Sequence, residues 1–253
     1  MTLRLRRAVF LLAALPLGAF FAWGVVDLAR RVRFDDLVGS YYLGVAIEEI
    51  KSYNVVTTVV FDYRGADTMI EQLILFAAVV GADLLLRRQP TEQKEAPRRS
   101  LVEREAPPPS AALQLAAVVL VGVSIFLPMY VILHAQYTPG GGFQSGVVFA
   151  GALLATYVAY EYTTFTELSP LPLVERLEAL SAGAYVVVGA VGLAVAGTFL
   201  DNFLPVGQLG TLLSTGTVLL LNLIVGLEVT AGFVLIFHAF LRQTVEIREG
   251  AGR

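Results

Sequence analysis

Leu-Asn-Leu-Ile-Val-Gly-Leu-Glu-Val-Thr-Ala-Gly-Phe, residues Leu221 to Phe233, lies inside an apolar run from about Thr211 to Phe240. A helix needs about 20 apolar residues to cross a ~30 Å hydrocarbon layer. The run is therefore a membrane helix, long enough to tilt or to extend past the bilayer. Glu228 sits in its middle with no basic residue within two turns of it in the sequence. A carboxylate at that depth costs roughly 2.5 to 3.5 kcal/mol on insertion scales, and is kept where it faces protein or a water-filled path. Something outside its own helix must satisfy it. Gly226 and Gly232 flank it and leave room for a neighbouring helix or another polypeptide of an assembly. Asn222 is six residues away, about 9 Å along the axis and about 120° around it, so it is not a direct partner.

The same solvent governs the rest of the chain. Of the 253 residues, 56% are hydrophobic and only 15% charged, against roughly a quarter charged in soluble domains. The mean hydropathy is +0.70. Further apolar spans run over Ala8 to Val26, Met69 to Leu86, Ala111 to Leu133, Phe143 to Tyr160 and Leu180 to Leu200. The first, preceded by Arg4, Arg6 and Arg7, exceeds the 7 to 15 residues of a secretory core and is expected to be a retained helix. The mixed stretch from Asp27 to Thr68 is expected along the membrane surface, dipping in near Val55 to Phe61. Short connections carry turn residues: Pro139 to Gly142, Ser169 to Pro172, and Asp201-Asn202 with Pro205 and Gly207. The chain is predicted to be an all-α polytopic membrane protein with about six transmembrane helices in two bundles, over residues 1–88 and 111–253.

Between the bundles, residues 89–110 change composition completely, with Lys94, Arg98, Arg99 and Arg104 among glutamates and Pro107 to Pro109. Such a segment cannot bury enough apolar surface to fold alone and reads as a charged linker. Lys and Arg counting sets the orientation. With the N-terminus inside, 13 of the 18 basic residues fall on the cytoplasmic side, and both termini and the linker face the cytoplasm of a multi-pass cell-membrane protein. No cysteine is present, which removes disulfides, thiolate nucleophiles and Cys-ligated iron–sulfur or zinc. His134 and His238 have no second ligand at metal spacing, so neither a metal nor a cofactor is expected. The net charge of −3 and the scattered basic residues make nucleic acid an unsuitable partner.

Several ionisable residues stand in or beside the spans. Glu71 opens the second clear helix just after Asp67 and Thr68, with Arg64 close enough to pair with it if the chain turns at Gly65. An interfacial ion pair capping that helix and a part in cation passage are both open readings. Asp83 precedes Arg87 by four residues, and an i, i+4 pair accounts for it. A lone interfacial histidine is usually a hydrogen-bonded anchor, although its titration range suits proton transfer. For His134 its context weighs toward function, since it opens His-Ala-Gln-Tyr-Thr-Pro-Gly-Gly-Gly-Phe-Gln-Ser-Gly, residues 134–146. Pro139 followed by Gly140, Gly141 and Gly142 permits backbone forms closed to other residues and bares amide groups. It lacks the strand context and Lys-Ser/Thr ending of a phosphate loop.

That segment resembles the hallmark of the B subunit of Mrp-type multisubunit sodium/proton antiporters, in which a histidine and glycine precede a Pro-Gly-Gly-Gly-Phe turn entering a helix. His134 and Pro139 to Phe143 match, while Ala135 and Gln136 stand where Gly and His are expected. The resemblance covers about Ala111 to Phe240. Asn54-Val55-Val56, then Asp62 to Thr68, then Glu71 are similar to the C-terminal end of the A subunit of the same antiporters and to a small subunit of membrane-bound hydrogenases. Tyr63 stands for Phe there, and Ile70 for a common Gly. The chain thus resembles a fusion of two neighbouring subunits.

The resemblance implies a membrane module exchanging H+ and Na+, working beside other membrane subunits in lipid, either alone or attached to a complex I-related respiratory assembly. Glu71, Glu228 and His134 are then candidates for the ion path. Arg64, Asp67, Thr68, Pro139, Gly140, Gly141 and Gly142 are candidates for supporting it. A non-conducting scaffold that docks larger antiporter-like subunits is the alternative. An intramembrane hydrolase fits worst, because no nucleophile and base are paired at helical spacing.

Overall fold

A computed structural model describes residues 3–31, 37–86 and 109–251, so most of the expected linker lies outside the described residues. Every regular element among them is helical: α1 (Leu3–Arg31), α2 (Leu37–Glu49), α3 (Val55–Thr58), α4 (Gly65–Leu86), α5 (Ala111–Leu133), α6 (Gly142–Leu168), α7 (Leu171–Ala196) and α8 (Thr217–Ala251). A single turn of π-helix, Val59–Tyr63, joins α3 to α4. Without water in the bilayer core, helices satisfy every backbone polar group internally, which is why long apolar sequence takes this form. Five spans are long and apolar enough to cross a membrane: Gly65–Leu86, Ala111–Leu133, Gly142–Tyr160, Leu171–Ala196 and Thr217–Arg242. With the shorter apolar stretch Ala14–Asp27 of α1, this agrees with the expected count of about six. The chain is a multi-pass membrane protein.

Residues 1–41 form one compact unit and residues 42–253 another. In the second, α8 is the central helix, packed against α4, α5, α6 and α7. Its buried side includes Val218, Leu221, Val225 and Val229, which pack with Phe61, Tyr185 and Leu200. Further along, Ala231 and Val234 meet Ala150, Phe165 and Val174.

Two helix boundaries differ from expectation in a way that matters below. The expected span from Leu180 begins nine residues earlier, at Leu171, because Pro170 and Pro172 suit the first turn of a helix, where no intrahelical N–H partner is needed. The last helix starts at Thr217 rather than near Thr211. Residues 201–216 form a folded connection instead, with Asn202 Oδ1 accepting from the Thr217 N–H at 2.7 Å and capping α8.

Candidate functional site

The two distinctive motifs of the sequence touch. Asn54 Nδ2 donates to the carbonyls of Ala135 at 2.7 Å and Thr138 at 2.8 Å. Thr57 Oγ1 donates to Ala135 O at 2.8 Å, and Ser52 Oγ to Gln136 O at 3.0 Å. The Tyr53 and Asn54 amides both donate to Gln136 O at 3.0 Å. The turn that follows α5 is thus held by the segment preceding α3, which satisfies backbone carbonyls that a helix end leaves unpaired. Gln136 Nε2 extends the network to Leu212 O at 3.0 Å, and Tyr137 donates to Thr211 O.

Beyond that turn the glycines bring α6 against α8. Gly140 has φ +136°, open to glycine and strained for other residues. The Gly142 N–H donates to Asn222 Oδ1 at 3.0 Å, so Asn222 satisfies the start of α6 instead of reaching Glu228. A Cβ on Gly142 would lie 2.5 Å from Asn222 O, and one on Gly146 would lie 2.7 Å from Val229 Cβ. Gly226 is covered by Ile132 of α5. This is the close approach expected of small residues at a membrane helix contact. Pro139 to Gly142 therefore act here as a docking turn, with Gly141 buried against Asn222.

Glu228 is 0% exposed, and neither carboxylate oxygen has a hydrogen-bond partner among the described residues. A charged group among the described residues that bears on it electrostatically is Glu178 of α7, itself only 6% exposed and with one oxygen unpartnered. Gln72 of α4 is 2% exposed, and both ends of its amide lack partners. Sequence reading missed Glu178 and Gln72. The signal for Glu178 was present: Val174, Glu178, Ser181 and Tyr185 recur at helical spacing and form the buried stripe of α7.

The other candidates are placed elsewhere. Arg64 pairs with Asp67, three residues on, rather than with Glu71. Glu71 is exposed on α4, on the outside of this chain, while still close enough to act electrostatically on Tyr185. Thr68 is buried and donates to Val60 O at 2.6 Å, tying α4 to the π turn. His134 stacks on Tyr130 at 4.3 Å between ring centroids and its Nδ1 lies 3.1 Å from Tyr130 O, at the end of α5 and away from Glu228. His238 is buried beside Ser169, with Nε2 3.1 Å from Oγ and 2.8 Å from the carbonyl, a structural anchor between α6 and α8. Asp83 is exposed, and Arg87, its expected partner, lies outside the described residues.

A second acidic group collects outside the membrane-spanning segments. Burial pushes the Asp62 carboxyl up to about 6. The Asn202 side chain, hydrogen-bonded to it, opposes the rise, while Asp201 and Glu49 add to it. Tyr63 donates to Glu49 Oε2 at 3.1 Å in the same region.

Residues 112–235 match the model of a domain family described as related to the MnhB subunit of Na+/H+ antiporter. Across 94% of this chain and 98% of its own length, a chain in the structure of the membrane-bound sulfane sulfur reductase, an archaeal respiratory membrane complex, superposes with a TM-score of 0.67 and 31% identity. Residues 112–235, just under half of the chain, are an MnhB-related domain. A chain in the structure of the Mrp complex from Dietzia sp. DQ12-45-1b matches this protein with a TM-score of 0.72 and 26% identity, over 94% of the protein. An uncharacterized protein of Methanocaldococcus jannaschii is 29% identical over 71% of the chain. A probable A/B subunit of a K+/H+ antiporter from Rhizobium meliloti is 30% identical over 62% of it. The chain spans 73% of the Methanocaldococcus relative, but only 17% of the Rhizobium protein and 26% of the Dietzia chain. Its structural neighbours are chains of multisubunit membrane complexes, so other membrane subunits are the partners of a protein of this kind.

Proposed function

We propose that this chain is a membrane subunit of a multisubunit antiporter module that exchanges a monovalent cation, Na+ in the leading reading, for H+ across the cell membrane, with both termini and the 89–110 linker in the cytoplasm. The observation that carries the proposal is Glu228: a carboxyl fully enclosed at the middle of the central helix, without a basic partner, in a family related to a Na+/H+ antiporter component. An uncompensated charge there is costly, so the group is stable only when it holds a proton or a cation, and changing occupant is the elementary act of exchange. Residues 1–88 correspond in this reading to the C-terminal end of the large antiporter polypeptide and 111–253 to the B subunit. Glu71, exposed on α4, faces a neighbouring subunit or lipid. His134 with Pro139, Gly140, Gly141 and Gly142 supports the outer end of the path, and Arg64, Asp67 and Thr68 hold the start of α4.

The chain has no cysteine, so any redox centre driving the module would be held by other subunits. Co-purifying iron–sulfur polypeptides mark the respiratory setting, and a preparation that exchanges ions without them marks a stand-alone antiporter.

Glu228→Gln in the assembled complex tests the assignment. In inverted membrane vesicles, Na+-dependent proton movement is expected to fall at least tenfold, with the variant chain still present at wild-type level. Unchanged exchange in an intact complex assigns the chain to scaffolding instead.

A further inference from the structure

Among the buried side chains with unpartnered polar atoms, Gln72, Glu178 and Glu228 come from three membrane helices, and helical register brings them to one depth. On α4 the buried positions Gly65, Thr68, Gln72 and Val79 form one stripe. Gly65 packs on Leu200 in the connection before α8, and Val79 with Leu75 packs on Gly232 within α8, so the two helices run parallel. Gln72 is about one turn before Leu75 and two before Val79, and Glu228 is one turn before Gly232. On α7, Tyr185 donates to Gly65 O at 2.9 Å. Because α7 runs opposite to α4, Glu178 lies seven residues below that contact on α7 and Gln72 seven below it on α4, about 10.5 Å in each case. Glu178 shares its buried stripe with Tyr185, and it acts electrostatically on Glu228.

We propose that Gln72, Glu178 and Glu228 form one intramembrane binding site for a dehydrated monovalent cation, at which the cation competes with a proton. This rests on the antiporter reading above and adds two ligands to it. Two carboxyls in lipid-enclosed surroundings, with no Lys or Arg paired to them among the described residues, need two positive charges for neutrality. Two protons supply them, or one proton and one alkali cation. Exchange is then Glu-COOH + Na+ giving Glu-COO−·Na+ + H+, with the second carboxyl keeping its proton. Hard monovalent cations take oxygen ligands, and the Gln72 amide oxygen offers one that carries no charge of its own. An amide left without hydrogen bonds in a protein core is otherwise a cost with no return.

The remaining charges on the elements around Glu228 lie at a distance from it or face away. α4 brings Gln72 there, while Glu71 is on its exposed side. α5 carries no charged residue between Ala111 and Leu133. α6 meets Glu228 near Gly146, and its Glu161 and Glu167 are four turns or more further on. α7 brings Glu178, while Glu175, which acts on Glu178, and Arg176 are both exposed, and the Tyr185 hydroxyl is committed to Gly65. On α8 itself, His238 is ten residues away beside Ser169. Asp62 of the π turn lies by Asn202, the cap of α8, about 16 Å up the axis from Glu228 at 1.5 Å per residue.

The test uses the purified whole complex in lipid nanodiscs under weak buffering. Adding sodium chloride to the wild type should release protons saturably, and choline chloride at equal ionic strength should not; parallel additions of lithium and potassium chloride rank the cations. Glu178→Gln and Gln72→Leu are each expected to weaken the apparent Na+ affinity about tenfold, while Glu175→Gln leaves it within twofold. Glu178→Asp, which keeps the charge, should recover part of the loss and guards against misfolding in the Gln variant. Wild-type complex that releases no protons on Na+ addition overturns the site, as does unchanged Na+ affinity in assembled Glu178→Gln and Gln72→Leu complexes. If Glu228→Gln still abolishes exchange in that second case, the antiporter reading stands and only the three-residue site is lost.

Discussion

Asp62 shows how one residue's surroundings turn into a measurable property. Its carboxyl ordinarily titrates near 3.8 and here does so at about 6, chiefly through burial. A folded value above the unfolded one means the native chain holds more protons between about pH 4 and pH 6. Stability contributed by the protonated form is complete below the unfolded value, falls as pH rises through the folded one, and is flat above it. Asp62→Asn keeps a neutral hydrogen-bonding group beside Asn202 and removes the titration. Its thermal midpoint should decline less than that of the wild type between pH 4 and pH 7, as read by intrinsic fluorescence on the purified complex. Parallel pH profiles for the two proteins would locate the titration elsewhere. Glu228 was readable at this scale from sequence, because a carboxylate with no basic neighbour in its own helix has to be satisfied by something else. Glu178 was readable only once the start of α7 was known: counting the span from Leu180 leaves Glu178 in a loop and hides the Val174–Tyr185 spacing, whereas a start at Leu171 puts it two turns inside the helix, on the same stripe as Tyr185.

At the scale of elements, the contact between α6 and α8 is set by the absence of side chains. A Cβ on Gly146 would meet Val229 Cβ at 2.7 Å and Gly226 O at 2.9 Å, both on a rigid helix. Overpacking of that kind costs about 1 to 3 kcal/mol. Gly146→Ala should therefore lower the thermal midpoint by several degrees and reduce the yield of assembled complex. Gly151→Ala, on the same helix with nothing within 4 Å of its Cβ position, should be neutral or slightly stabilising. Equal behaviour of the two variants would mean that α6 and α8 do not approach as described. The Pro-Gly-Gly-Gly turn was legible as a place of special backbone. Its partners were not, because Asn54, Thr57 and Ser52 reach it from about 80 positions away, and no periodicity within one helix reports such a contact. The spans themselves were legible since the bilayer demands length and apolarity. Their ends were less so, because at helix ends capping groups such as Asn202 and Pro170 decide and hydropathy does not.

For the whole molecule, burial is uneven: most of the apolar stretch of α8 is enclosed by this chain, whereas most of the apolar stretches of α4 and α5 are not. A helix that turns most of its surface outward must meet lipid or another polypeptide. Exposed Glu71 on α4 favours a protein neighbour over that part of its surface, since a carboxylate facing lipid alone carries the insertion cost without relief. The side from which such neighbours would receive or deliver ions depends on the orientation inferred from Lys and Arg counting, which places residues 89–110 inside and the 197–216 connection outside. The chain has no native cysteine, so a single introduced thiol reports its side of the membrane without background. Gln208→Cys, at an exposed position in the 197–216 connection, should react with a membrane-impermeant maleimide on intact cells, and Ser100→Cys in the linker should not. In inverted vesicles the two reactivities should exchange. The opposite pattern would reverse the proposed topology and put the acidic group around Asp62 on the cytoplasmic face, because Asn202, which bonds Asp62, belongs to the same connection as Gln208.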